Sequence, residues 1–205
     1  MKRYLVLCLL AACGYTNDPT VARVYTPYQP QTSTPVSPTP NNWEMPAGSK
    51  LVFVTKSTYA GDDVATHEDA DGKCADAAEG AGLGRNFKAW LSEPSAPANE
   101  HITDVGPWYP AGCPKQHCAK EGFNFMNLAS LRTTPASYSF QDQHGSFASN
   151  DVWTASKSDG SAGESCLTSK KMPPQAHYGT LSGEDWASAA LGYCSGRRGL
   201  LCLQQ

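Results

Sequence analysis

The apolar positions of this chain fall into runs of different period, and each period predicts a different element. Leu51-Val52-Phe53-Val54-Thr55 is a short, continuous, β-rich run bounded by Ser49-Lys50 and Lys56-Ser57, which predicts a strand. Thr66-His67-Glu68-Asp69 then has the [ST]-x-x-[DE] form of a helix start. Beyond it Ala70, Cys74, Ala77, Ala78 and Ala81 recur at helical spacing, a stripe of small residues able to lie close against a sheet. Gly80, Gly82 and Gly84 end that helix, and the alternation in Phe87-Lys88-Ala89-Trp90-Leu91 predicts the next strand. From Glu93 to Gly183 the pattern dissolves into turns, punctuated by Gly106-Pro107, Gly112, Asp159-Gly160 and Pro173-Pro174. A second, shorter helix is expected through Glu184-Asp185-Trp186-Ala187-Ser188-Ala189-Ala190, and Gly199-Leu200-Leu201-Cys202-Leu203 closes the chain as a strand. Mixed signals of this kind define an α+β domain.

The start of the chain follows another logic. Lys2 and Arg3 precede a nine-residue apolar run, Tyr4 to Ala12, that ends in two alanines and Cys13. A bilayer-spanning helix needs about 20 apolar residues, so this layout is that of an export signal. Leu10-Ala11-Ala12-Cys13 resembles a bacterial lipobox, which implies that residues 1–12 are removed and that Cys13 is lipidated. Acyl chains contribute about 0.8 kcal/mol per buried CH₂, and two of them suffice for stable anchoring. Residues 13–46 carry seven prolines from Gly14 to Pro46, with many threonines and serines. Such a segment cannot bury enough surface to offset its ordering entropy and reads as an extended tether, roughly 3.1 Å per residue where polyproline-like. Residues 47–205, about 160 in all, are enough for one domain with a real core.

Charge adds little: 16 basic and 19 acidic residues leave a net −3, and the basic ones are scattered. No nucleic-acid footprint is present, and no run of lysines marks an anionic lipid surface. Cysteine adds more. With Cys8 and Cys13 assigned to the export segment, Cys74, Cys113, Cys118, Cys166, Cys194 and Cys202 form an even set in an exported chain, which reads as a disulfide framework whose pairing counting leaves open. Cys113-Pro-Lys-Gln-His-Cys118 is expected to be a local bridge, because a zinc clip needs two further ligands and the CxxC redox spacing is missing.

The helix with Cys74, the segment Phe87-Lys88-Ala89-Trp90-Leu91-Ser92, the Val152-Trp153 pair before Cys166, and the final Cys194 and Cys202 together resemble the endostatin-type domain at the end of certain collagens. They are closer still to the endostatin-like outer-membrane lipoproteins of spirochaetes and related bacteria, over nearly all of Lys50 to Gln205. The resemblance implies a C-type-lectin-like fold: two helices, a small twisted, mostly antiparallel sheet whose first and last strands pair, and long disulfide-stapled loops. It implies Cys74 paired with Cys202 and Cys166 with Cys194, leaving Cys113 for Cys118.

The ligand features of that family are not carried over. The EPN, QPD and WND triplets of calcium-dependent lectins are missing, the segment before the domain has no histidine for an endostatin-type zinc site, and Arg197 and Arg198 are the only adjacent arginines. The acidic residues Asp62, Asp63, Glu68, Asp69 and Asp71 lack EF-hand spacing and read as first-turn helix charges. Gly192-Tyr193-Cys194-Ser195-Gly196 fits a nucleophile-elbow pattern only superficially, since no histidine follows it. His67, His101, His117, His144 and His177 are dispersed. The chain is therefore expected to be no enzyme and to need no metal or cofactor. The reading is a surface-tethered, adhesin-like binding module for an extracellular protein or glycan, held by the membrane through its lipid anchor only. It is placed on the outer membrane facing outward, or secreted if the anchor is missing. A structural envelope lipoprotein, or a hydrolase with a loop-assembled site, is the alternative. Trp108 and Tyr109, in the turn-rich Gly106–Pro110, are the expected contact residues, since aromatics are enriched in interface cores; Arg197 and Arg198, a pair in a turn before a strand where solvated arginines are common, are the further candidates.

Overall fold

Strand β1 (Lys50–Val54) is apolar at successive positions because both of its faces are covered. Leu51 and Phe53 point into one hydrophobic cluster, Val52 and Val54 into another, and β9 (Leu201–Gln204) repeats the division, with Cys202 on the first side and Leu201 and Leu203 on the second. The computed structural model of the chain describes residues 45–112, 127–132, 140–149, 151–181 and 186–205. These belong to the unit Pro40–Gln205. The expected Cys113–Cys118 bridge and the expected lipidation of Cys13 lie outside the described residues.

The architecture is α+β. A four-stranded sheet runs in the order β3 (Phe87–Ala89), β9, β1, β4 (Trp108–Pro110). β1 pairs antiparallel with β9, Phe53 opposite Cys202, and parallel with β4, Leu51 opposite Tyr109. A two-stranded ribbon joins β2 (Tyr59–Ala60) to β8 (Arg197–Arg198), and a three-stranded antiparallel sheet joins β5 (Val152–Trp153), β6 (Gln175–Gly179) and β7 (Ala190–Tyr193).

Helix α1 (His67–Gly80) covers the first face of the four-stranded sheet. Its stripe buries Ala70, Cys74 and Ala78, small enough for the backbone to come close, and Ala77 packs at the edge. Thr66 caps it as the sequence predicts: its Oγ1 accepts the Asp69 N–H at 3.1 Å and donates to the Asp69 carboxylate at 2.6 Å. Gly82, at φ 74°, takes the left-handed conformation just past the helix end. The close approach puts Cys74 of α1 beside Cys202 of β9, and their disulfide spans a Cα–Cα distance of 5.6 Å. A second disulfide, Cys166–Cys194, has Cα atoms 5.8 Å apart and lies within the sequence enclosed by the first.

The second face is built from large side chains, most of them from the region that reads as turn-rich in sequence, with Trp90 and Trp186 from the segments on either side of it. Trp90, Trp108, Ile102, Leu131, Phe140 and Trp186 fill it, with α2 (Ala98–His101) and α3 (Leu128–Arg132) as its short helical pieces. The helix expected over 184–190 is not formed at its described residues. Trp186 and Ala187 make a turn, Ala189 donates to Tyr178, and Ala190 opens β7. Pairing with β6 takes the backbone groups that a helix would have used internally.

Candidate functional site

Trp108, expected at a contact surface, lies inside the core. It is fully buried in β4, and its indole N–H donates to the Gln204 carbonyl at 2.8 Å, so it serves the second core cluster. Tyr109, next to it, is half-buried. Arg197 is exposed and donates to the Thr58 carbonyl. Arg198 is half-buried, its guanidinium carbon 3.9 Å from the Tyr178 ring centroid and 4.4 Å from that of Trp153. Gly192 and Gly196 leave the space it fills, since a Cβ on either would stand within 2.9 Å of guanidinium nitrogens. Arg198 is thus a cation held by aromatic faces and fixed against the sheet, which makes it part of the packing.

The acidic residues do not converge. Glu68 and Asp69 occupy the first turn of α1, where the helix dipole favours them, while Asp71 turns inward to the Ala89 N–H and to His101. Among the described residues one group of potential metal ligands stands together, Asp62 with Cys166 and Cys194, but both sulfurs are spent in the disulfide. The same bond removes Cys194 as a nucleophile.

Two arrangements are assembled that sequence reasoning missed. In the first, His67 and His101 stack with ring centroids 3.7 Å apart and planes 13° from parallel. The His67 Nε2 lies 2.9 Å from the Leu91 carbonyl and so carries the proton, which leaves Nδ1 facing Glu93 at 3.7 Å. His101 Nε2 reaches both Asp71 oxygens at 3.1 Å. Burial, and then the neighbouring His101 charge, push the His67 pKa below its ordinary value, against the opposing pull of the Leu91 carbonyl, Glu93 and Asp71. This cluster joins α1, α2 and the end of β3, and its side chains are mostly shielded.

The second is a surface cleft of about 280 Å³ at the end of β1, lined by Thr55, Lys56, Asp142, Ser146, Phe147 and Ser149 among others. Its wall is a tight turn. Val54 donates to the Gln141 carbonyl at 2.9 Å, and Asp142 Oδ1 accepts the N–H groups of His144 at 2.8 Å and Ser146 at 3.0 Å. Gly145, at φ 86°, lets the chain reverse, and Gln143 holds the far side by accepting the Lys56 N–H at 3.0 Å. The outcome is Phe147 presented at 75 % exposure beside a nearly buried carboxylate, two exposed serines and a lysine. No single stretch of sequence signals this site, because its two halves are about ninety positions apart.

The chain matches no protein-family model, and no curated protein is similar to it. What the fold itself defines is an α+β domain with small, mostly antiparallel sheets and, among the described residues, two disulfides. Among the described residues, no helix is long and apolar enough to cross a membrane.

Proposed function

We propose that this chain is a surface-tethered, non-catalytic binding module that recognises an extracellular protein or glycan through the Phe147 cleft. The observation that carries the reading is Phe147 itself, a large aromatic ring held out into solvent by a turn that is closed by its own hydrogen bonds, Asp142 N–H to the Ser146 carbonyl and the His144 and Ser146 N–H groups to the Asp142 carboxylate, and tied to β1 through Val54 and to Lys56 through Gln143. Aromatic side chains offer large contact area at low entropy cost and dominate the energetics of recognition surfaces. The rigid turn reduces the ordering cost that a flexible loop would add on binding. The polar groups around the ring, Asp142, Lys56, Ser146 and Ser149, supply the directional contacts that set specificity.

The finer assignment to an endostatin-like, C-type-lectin-like fold is supported by the antiparallel pairing of β1 with β9 and by the two nested disulfides, both of which the sequence resemblance implies. An outer-membrane address is supported by the Lys2–Cys13 pattern and the proline-rich segment after it. The test is a binding screen of the purified domain against extracellular-matrix proteins and immobilised glycans, with and without calcium, repeated with Phe147→Ser. A partner that binds the wild type and is lost by at least about tenfold in the variant is expected, the scale of one aromatic hot spot. Binding that is indifferent to Phe147 would overturn the site, and a screen with no partner would overturn the function.

A further inference from the structure

Four large apolar side chains stand exposed on the 166–174 loop and on β7: Met172 at 92 % and Leu167 at 53 % on the loop, Tyr193 at 54 % and Leu191 at 38 % on the strand. The loop and the strand are separate in sequence, and covalent and backbone bonds bring them together. The Cys166–Cys194 disulfide sets Leu167 next to the residue that follows Tyr193. Cys194 donates to the Pro174 carbonyl at 3.0 Å, and Gln175 pairs with Tyr193, which carries Met172 to the same end. Ser169 Oγ accepts the Gln175 N–H at 3.1 Å and stitches the intervening loop down.

The same folding gathers cations that are scattered in the sequence. Lys170 and Lys171 immediately precede Met172 on the loop, and Arg197 follows the turn in which Gly196 donates to the Tyr193 carbonyl at 2.8 Å. All three are exposed. Glu164 lies 3.9 Å from the Lys171 ammonium, and Asp62, beside the disulfide, is followed by Asp63; among the described residues neither Lys170 nor Arg197 forms an ion pair. Apolar tips ringed by lysine and arginine have the chemistry of a bilayer boundary. Leucine and methionine enter the acyl region, tyrosine sits at headgroup level, and the basic chains reach anionic headgroups. Met172 projects almost free of its own protein, a shape suited to insertion between lipids.

We infer that the 166–174 loop and the end of β7 dock on a bilayer surface carrying anionic headgroups, a contact additional to any lipid anchor and independent of the Phe147 cleft. Each Lys or Arg near such a surface contributes about 1 kcal/mol, and salt screens it. The test uses residues 40–205, which contain both disulfides and every hydrogen bond given above, with disulfide content and a cooperative melt verified for each variant. Co-sedimentation is measured with phosphatidylcholine vesicles with and without phosphatidylglycerol. Binding on the order of tenfold stronger to the anionic vesicles is expected, weakening as sodium chloride is raised. Met172→Asp, and Lys170→Glu with Lys171→Glu, should each reduce it by on the order of tenfold, while Phe147→Ser should leave it unchanged. Equal affinity for neutral vesicles, no sedimentation with either, or indifference to Met172→Asp would each overturn the docking. Displacement by inorganic phosphate well beyond that by chloride at equal ionic strength would also overturn it, since the face would then be an anion pocket. The Phe147 partner screen contains no vesicles, so the two readings fail separately.

Discussion

Gly179 has no room for a methyl group: a Cβ there would stand 1.4 Å from the Trp186 carbonyl oxygen, a backbone atom that cannot rotate away. Gly179→Ala should therefore cost at least about 3 kcal/mol in urea unfolding, at the upper end of overpacking penalties, by prying β6 from the turn before β7. Gly72 is the contrasting case, exposed on α1 with nothing within 4 Å of an added Cβ. Gly72→Ala should stabilise by about 0.5 to 1 kcal/mol through helix propensity alone, and a lower midpoint in the same assay would count against the helix as described. His67 supplies a pH dependence. Its pKa is depressed in the folded protein, so its contribution is fully present above the ordinary value of about 6.5 and is lost as the pH falls below that, because the unfolded chain takes up the proton first. The urea midpoint should drop between pH 7 and pH 5 more steeply in the wild type than in His67→Gln; parallel profiles would show that the stacked pair is not the acid-sensitive group.

At the scale of elements, the two disulfides differ in what they hold. Cys74–Cys202 joins residues 128 apart and ties α1 to the central strand β9, whereas Cys166–Cys194 joins residues 28 apart at the sheet end. Chain-entropy arithmetic gives about 5 kcal/mol for the first and about 3.5 kcal/mol for the second. Cys74→Ala with Cys202→Ala should lower the melting temperature further than Cys166→Ala with Cys194→Ala, and equal losses would contradict the loop-closure account. The elements legible in sequence are those with a long, regular reason to exist. β1 and β9 are buried on both faces and so read as continuous apolar runs, and α1 carries a cap, a periodic stripe and glycine stops. β4 and β5 have three and two residues, too short for alternation to register, and Gly106-Pro107 before β4 reads as a turn. Trp186, inside an apparent helix pattern, is claimed by the core and by a bond from its Nε1 to the Leu131 carbonyl. The Phe147 cleft and the His67–His101 stack are invisible for the same reason: tertiary pairing brings together residues whose local sequences carry no motif.

For the molecule as a whole, the envelope address proposed from the N-terminal pattern can be tested without the fold. Cys13→Ser should abolish labelling by a clickable fatty acid and leave an uncleaved precursor or a released protein; unchanged labelling would remove the lipoprotein reading. The placement of β9 has a further consequence, in the order of events by which the chain becomes compact. β9 is inserted between β3 and β1, strands that precede it by more than a hundred residues, so the centre of the four-stranded sheet stays vacant until Leu201–Gln204 has emerged. Before that moment β1 and β3 have no common partner, and the Cys74 thiol has nothing to close on. Pairing of such high sequence separation is slow, and it exposes unpaired strand edges while it waits. A chain halted before Leu201 should accumulate in a protease-sensitive state, with Cys74 open to alkylation. Residues 201–204 should convert it to the resistant, oxidised form, which makes the timing of compaction and oxidation depend on the arrival of β9.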